Sequence, residues 1–511
     1  MFHTAVVSNC FADSSMLEEA CDRYVMDRTV ESAFVCSASS EALQSALNFG
    51  FSEKFLKGLS EDDLLISVDA KDEKTAEKVL SQIRSMAEAA AGAAGTGNRN
   101  PELVMDSEPS ANWAVIRLPA SLAPRAAGQA VRRGLGVMLE EELDLLSEEK
   151  LKKEAAEKGI PFLGGGVYGA VISGRALGAC PEFKNGNVSV LGQSFAANLI
   201  LAMHLEERGV GIRHLVSTGR RDCFSEENGL ITELCLDDLL ADPQTDSICL
   251  VLKSGDLGVI GRIVRKAESS SKKVFIYSVG LLKGMDYEGR NDSANTLASL
   301  ADAVADHYGI IQTKEDDPEL DNLTTLHRLQ MNRTQKYLRG FFLSEVVCGE
   351  TALQLLPDLK AVYSNNPVRG ALLNPETRFL RENSVLDCAH INYAASARPS
   401  LLASVRRNRR MESEAYNRSV AVLLADWYAV KGSTEEQLSD LAESIRICRH
   451  IASDDGRHLA VGVIVYACGA SPVSAEHAAE VLTQAGADVF RSADEAVEYT
   501  RRIIAAGKEH E

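Results

Sequence analysis

The chain has 511 residues, of which 45% are hydrophobic and 25% charged, and it carries a formal net charge of -19. That length corresponds to about three or four globular domains. The acidic balance argues against nucleic acid or an anionic membrane surface as the main partner, because both call for a basic face; a small anionic ligand needs only a local site.

The first ninety residues alternate short apolar runs with amphipathic segments. Strands are expected at 5–7, 33–36 and 64–68, with helices at 14–24, 40–47 and 73–87. This alternation predicts βα units with parallel sheets. The stretch 91–101 is rich in Ala, Gly and Asn, with weak periodicity, and reads as a linker.

The alternation then resumes. Strands are expected at 113–118, 136–139, 161–163, 187–191, 212–216, 247–252 and 273–277. Helices are expected at 124–133, at 147–158 with Ser147 opening it and Gly159 stopping it, and at 196–207. An acidic stretch at 313–323 marks a second boundary. Beyond it, strands are expected at 336–343, 420–424, 459–465 and 489–490, and helices at 350–356, 435–449, 474–485 and 493–504. The expected organisation is an N-terminal α/β domain (1–90), a linker (91–110), and further α/β domains at 111–180, 181–315 and 330–508. The fold class is α/β, with several Rossmann-like or flavodoxin-like domains built on parallel sheets. In such sheets the ligand lies outside the carboxyl ends of the strands.

The 11 cysteines include no CxxC pair, and most sit in apolar runs, so they read as buried reduced thiols. The start MFHTAVVSNC lacks a signal-peptide pattern. No apolar run approaches the ~20 residues of a membrane span. A cytoplasmic location is expected.

Three strand-to-helix turns are candidate ligand positions: Gly164-Gly165-Gly166, Gly192-Gln193-Ser194 and Ser217-Thr218-Gly219. Glycine lets the backbone approach a ligand, and the following helix aims free N–H groups at an anion. Gly164, Gly192, Ser194 and Gly219 are therefore candidate cofactor-binding positions. Arg221 offers forked donors for phosphate or carboxylate, with Asp222 to orient it; a surface ion pair is the alternative. Lys253, at a strand end, either reaches an anion or is solvated. Arg221, Asp222 and Lys253 are the catalytic candidates. The run Arg406-Arg407-Asn408-Arg409-Arg410 reads mainly as a solvated helix face or a partner contact. His204 and His214 read as structural. No HExxH, CxxC, P-loop or GxSxG pattern is present, so no metal site is expected.

The segments AAEKGIPFLGGGVYGAVISG, GNVSVLGQS, STGRRD and DPQTDSICLVLKSG, with QKYLRGFF, CGET and VYSN later on, resemble the alpha subunit of succinyl-CoA synthetase and, more closely, the FdrA family. The resemblance implies a CoA-binding-type Rossmann domain at 111–180, followed by succinyl-CoA-synthetase-like flavodoxin-type domains. It implies CoA, acyl phosphate or carbamoyl phosphate as ligand and a small acyl or carbamoyl substrate. Partner subunits or a homo-oligomer are expected too, since some family members act with partner chains as an oxamate carbamoyltransferase. Such reactions need fixed donors for oxyanion and phosphate.

Matched to the family's motifs, Gly164 stands at the first glycine of GPxC, with Gly165 for Pro and Val167 for Cys. Gly192 and Ser194 match GxSGTG, with Phe195, Ala196 and Ala197 in place of Gly-Thr-Gly. Gly219, Arg221 and Asp222 match GTGGRD, and Lys253 matches the lysine of SKPP. The family's Gly-Gly-Thr turn is Ser344-Glu345-Val346 here. Its Pro-His-Pro-Met-Ile-Asp-Pro stretch falls at 398–404 without His or Asp. The phosphohistidine loop is not recognisable. Phe195 would crowd a phosphoryl group, and Glu345 would repel an anion. Three readings stay open: an acyl- or carbamoyl-transfer enzyme subunit, a catalytically degenerate scaffold or regulatory subunit, and a CoA- or nucleotide-binding module.

Overall fold

The apolar runs become strands, and a computed structural model of the chain places them in four sheets among the described residues. The structure describes residues 2–8, 14–26, 28–38, 46–47, 49–56, 59, 63–94, 109–118, 123–253, 255–278, 293–310, 318–359, 361–366, 368, 370–373, 382–389, 401–430 and 433–505. Two compact units divide between Gly166 and Val167. No described helix is long and apolar enough to cross a membrane.

In the first unit the order is β1 (Phe2–Val7), α1 (Ser14–Met26), β2 (Ser32–Ser37), α2 (Glu53–Leu56), β3 (Leu64–Asp69) and α3 (Glu73–Ala94). β1 and β2 both run antiparallel to β3, which lies between them. This corrects the expected parallel sheet. The α1 crossover leaves β1 and β2 pointing the same way, but β3 inserts between them and pairs with both. The helix expected at 40–47 falls almost wholly outside the described residues. α3 runs through 91–94, where alanine favours helix, so the expected linker begins inside a helix.

A second, parallel sheet of the same unit joins β4 (Trp113–Ile116), β5 (Gly136–Leu139) and β6 (Phe162–Leu163) through α4 (Ala123–Arg132) and α5 (Leu145–Glu157). α5 opens on Asp144, whose carboxylate accepts from Ser147 N at 3.0 Å, and not on Ser147 itself. A carboxylate caps at least as well as a hydroxyl and also complements the helix dipole.

The second unit begins with a hairpin that the sequence reading did not find, β7 (Gly169–Ile172) and β8 (Arg175–Gly178). Ser173 and Gly174 both have positive φ (51° and 76°), the geometry of a tight two-residue hairpin turn. Then come β9 (Asn185–Gly192), α6 (Phe195–Glu207), β10 (Ile212–Ser217), α7 (Leu230–Ala241), β11 (Ser247–Leu252), α8 (Leu257–Glu268), β12 (Lys273–Ser278), β13 (Ser293–Ala294), α9 (Leu297–His307) and α10 (Pro318–Gln330). The sheet order is β13-β12-β11-β9-β10-β7-β8, parallel from β13 to β10.

The remaining elements are β14 (Tyr337–Phe342), α11 (Glu345–Leu355), β15 (Val362–Ser364), β16 (Leu372–Leu373), β17 (Asn383–Asp387), α12 (Leu401–Ala415), β18 (Val420–Ala429), α13 (Glu435–Asp454), β19 (Ala460–Ala467), α14 (Ala475–Gln484), β20 (Asp488–Phe490) and α15 (Ala493–Ala505). Their sheet, β16-β15-β17-β14-β18-β19-β20, is parallel throughout. β18 does not end before Asp426 but carries on through it to Ala429.

One hydrophobic core serves both seven-stranded sheets. It includes Leu201, Val251 and Leu300 from the first and Phe342, Val347, Leu424 and Tyr499 from the second. α6 is buried continuously from Ala197 to Leu205, as expected of a helix apolar on every side. α11 is likewise buried over most of its length.

Glu350 of α11 lies in this shared interior, and Leu297 N at the start of α9 donates to its Oε1 at 2.8 Å. Burial pushes its carboxyl from the ordinary 4.5 up to about 8. A group whose folded pKa is raised contributes stability that is present below the unfolded pKa and is lost as pH rises through the folded one. Glu350→Gln keeps an acceptor for Leu297 N–H and removes the titration. In urea denaturation the variant should therefore gain on the wild type by roughly 2–4 kcal/mol between about pH 5 and about pH 8.5. Parallel stability curves for the two proteins would refute the assignment.

Candidate functional site

The described carboxyl ends of β9, β10 and β11 are tied together by side chains. Thr218 N donates to Gly192 O at 2.9 Å, joining the turns after β9 and β10. Asn198 Nδ2 donates to Val216 O and Ser217 Oγ, each at 2.9 Å. Gln193 Oε1 accepts from Lys253 N at 2.9 Å, joining the turn after β9 to the exit of β11. Ser194 caps α6, accepting from Ala197 N at 3.4 Å. The other sheet repeats the device: after β14, Ser344 caps α11 and accepts from Val347 N at 3.5 Å.

The two sheets meet at these turns. Lys253 Nζ, at the exit of β11, forms an ion pair with Glu345 Oε2, on the first residue of α11. The side chains are 11% and 23% exposed, so the pair is neither solvated nor sealed. Lys253 is therefore not the solvated lysine that composition allowed, and Glu345 faces a cation at close range. Asn366 Nδ2 donates to Glu345 O at 2.6 Å and holds the main chain there.

The other predicted positions are placed differently. Gly164 and Gly165 belong to the first unit. Gly165 N–H donates at 3.1 Å to Glu148 Oε1, which also pairs with Lys152 Nζ at 2.9 Å, both side chains being buried. A β-carbon at Gly164 would lie 2.7 Å from Leu139 Cβ, and one at Gly165 would lie 2.8 Å from Glu141 O. These glycines answer to packing, and the turn does not fit a phosphate-bearing cofactor, because its N–H already holds a carboxylate. Gly192 is similar: a β-carbon there would lie 2.5 Å from Asn198 Oδ1 and 2.6 Å from Val251 O. Gly219 has φ 95°, which the turn requires.

Asp222 is fully buried and accepts from Thr232 N (2.8 Å), Thr232 Oγ1 (2.6 Å) and Ile231 N (3.4 Å). It closes the first turn of α7, whose N-cap, Gly229, has no side chain to offer. That placement makes it a capping carboxylate, a role the sequence did not reveal. Arg221 is half-buried in the turn, and its carbonyl accepts from Phe224 N at 2.9 Å. Phe195 packs its ring against the shared core.

Sequence reasoning missed the polar cluster under Ser344. Asp426 is fully buried in β18 and accepts from Leu343 N at 2.8 and 3.0 Å and from Tyr428 Oη at 2.7 Å. Arg407 lies 3.6 Å from it and is also buried, with only 1% of its side chain exposed. Arg407 thus departs from the solvated face expected for the 406–410 run. Burial raises the Asp426 carboxyl to about 6, against the opposing pull of Arg407. A sequence signal existed: a lone Asp inside the apolar run VAVLLADWYA needs a partner.

Residues 1–102 match the family described as AllF, heavy metal-associated domain, and residues 185–326 match the succinyl-CoA ligase like flavodoxin domain. The chain is 27% identical over 507 residues, 98% of each sequence, to the Uncharacterized protein YahF of Escherichia coli (strain K12). Among solved structures it is similar to the dinucleotide-forming acetyl-coenzyme A synthetase 1 of Ca. Korarchaeum cryptofilum in complex with phosphate and ADP. That match has 14% identity and a TM-score of 0.28, and it covers 78% of this chain and 84% of that one. It is also similar to ATP citrate lyase from Methanothrix soehngenii in complex with citrate and coenzyme A, with 14% identity, 42% of each chain and a TM-score of 0.32. The chain therefore contains a succinyl-CoA ligase-like flavodoxin domain, and β9–β13 belong to it. In the N-terminal match, no group of three His, Cys, Asp or Glu among the described residues is arranged to hold a metal ion. Cys21 is buried, Cys36 is half-buried, and Cys10 lies outside the described residues.

Asp426→Ala should destabilise the chain by about 3–5 kcal/mol, because it strands Arg407 as a buried charge and leaves Leu343 N–H unpaired. Asp426→Asn, which still offers an acceptor, should lose less. Chemical denaturation checks both, and a loss under about 1 kcal/mol for the alanine variant would contradict this account.

Proposed function

We propose that the chain is a subunit of a CoA-related acyl- or carbamoyl-transfer system of the FdrA type. Its ligand centre is the Lys253–Glu345 ion pair at the carboxyl end of β11. One observation carries this reading. At the carboxyl end of β11, inside the succinyl-CoA ligase-like domain, Lys253 is directed at an anion on the first turn of a Ser-capped helix from the other sheet. The carboxyl edge of a parallel sheet is where such folds bind ligands. A lysine there stabilises the negative charge that develops on a carbonyl or phosphoryl oxygen during acyl transfer.

The substrate class is a small anionic acyl or carbamoyl compound. No CoA contact is assigned at Gly164, because Glu148 occupies the donor that a phosphate would use. Transfer of a CoA-borne group, and the partner chains or second copy that complete the site, remain part of the same proposal.

A second reading has its own support. Asp222 and Glu148 each fill N–H groups at turns where a phosphate would bind, and Phe195 packs against the core. These features suit a catalytically silent scaffold or regulatory subunit. Lysine dependence separates the two readings.

Lys253→Met should weaken binding of acetate or carbamoyl phosphate to the full chain at least tenfold in calorimetric titration, a change of about 1.4 kcal/mol. It should also reduce turnover of any complex the chain forms, which native mass spectrometry with co-purified chains would identify. Unchanged binding and turnover would leave only the scaffold reading.

A further inference from the structure

We propose that α10 is a strap latched to the amino edge of the second seven-stranded sheet by a hydrogen-bonded pair of histidines, and that acid opens the latch and frees the helix while the core stays folded.

The attachment of α10 is largely polar. The helix packs on α15, and its buried side chains are Thr324 and His327. The Thr324 hydroxyl turns back onto its own helix and donates to Leu320 O at 2.8 Å. Leu320 and Leu323 are only partly buried, at the margin of the shared core. Asp321 pairs with Arg502 at 2.6 Å, but its side chain is 72% exposed, and such pairs hold little. His327 is thus the buried side chain that crosses from α10 to the sheet.

It enters a chain of four groups. His327 Nε2 lies 2.7 Å from Asp488 Oδ2, at the start of β20, and the same oxygen accepts from Tyr499 Oη of α15 at 2.6 Å. His327 Nδ1 lies 2.7 Å from Nε2 of His458, in the segment that leads into β19. Gln335 Nε2 donates to His458 O and fixes the main chain there. Arg449 of α13 is the cation that acts on His458.

Proton counting makes this chain a latch. Asp488 accepts from both neighbours as a carboxylate, so His327 carries a proton on Nε2. The gap between the two imidazoles then holds one proton. It comes from His458 when both rings are neutral and from His327 when that ring alone is charged. A second added proton would set two N–H donors face to face, and the bond between the rings would be lost. Burial first, and then His327 and Arg449, hold the His458 imidazole below its ordinary 6.5, at about 4, against the pull of Asp488. Freed from the pair, the ring returns toward its ordinary value. A lowered folded pKa contributes stability that is present above the unfolded pKa and lost as pH falls through the folded one. The latch should therefore weaken as pH falls from about 6.5 to about 4.

The opening is local, because the shared core is built from other elements, Leu201, Val251, Phe342 and Leu424 among them. Hydrogen exchange of the full chain, corrected for the pH dependence of the intrinsic rate, tests it. The amides of α10 should open at least about tenfold more often at pH 5 than at pH 7, while those of β18 keep their protection. His458→Gln still offers an Nε2–H to His327 and cannot be protonated, so it should lose most of that pH dependence. His327→Leu should open α10 at both pH values with β18 still protected. Equal α10 protection at the two pH values, an unchanged pH dependence in His458→Gln, or joint loss of protection in α10 and β18 would each overturn the latch.

Discussion

A main-chain N–H at the carboxyl end of a buried parallel strand, or in the first turn of the helix that follows, has no partner in its own element. Leaving it unpaired in an apolar interior costs about 1–3 kcal/mol. Folds of this kind often meet the demand with a bound phosphate. Here the chain meets it with its own carboxylates. Glu148 accepts from Gly165 N, Asp222 from Ile231 N and Thr232 N, and Asp426 from Leu343 N. Much of the structure at these turns follows from this substitution. The turns keep their strand-to-helix geometry, the helices stay capped, and the donors are satisfied with no ligand bound.

Each internal carboxylate brings a charge that must be balanced. Lys152 stands against Glu148 and Arg407 against Asp426. Both pairs are buried, and such pairs bring little net stability over apolar packing, yet breaking one is expensive. They therefore lock the turns. The Lys253–Glu345 pair has the same chemistry with partial exposure, so the cost of separating its members is lower. Burial divides the pairs that lock the turns from the pair that keeps some contact with solvent.

The α/β class and most of the strands after residue 180 were legible in the sequence. Apolar runs such as SICLVL and LAVGVIV are too short for helices and lie between glycine-stopped helical segments. The antiparallel first sheet was not legible, because alternation of strand and helix does not say which strands are neighbours. The β7–β8 hairpin was missed although Ser173-Gly174 is a turn signal, since the flanking strands are only four residues each. At the site, Lys253 and the odd glutamate at position 345 could be singled out by comparison with family motifs. That they face one another could not, because they are 92 residues apart in different sheets. Asp222 was singled out because Arg-Asp neighbours suggest a clamp. Its capping of α7 was not legible, since it answers to Gly229, which leaves that helix without a side-chain cap.

The surroundings of the Lys253–Glu345 pair also bear on how it can move. α6 follows the turn whose Gln193 binds Lys253 N, α11 begins at Glu345, and both helices are buried along most of their length in one core. Sliding either helix would disturb close-packed contacts that include Leu201, Val347 and Phe342, and interiors packed this densely do not deform smoothly. Backbone rearrangement is therefore a costly way to admit a ligand. Rotamer changes of a lysine and a glutamate are cheap by comparison and occur on fast timescales. The packed frame therefore confines any rearrangement at the Lys253–Glu345 pair to the side chains themselves.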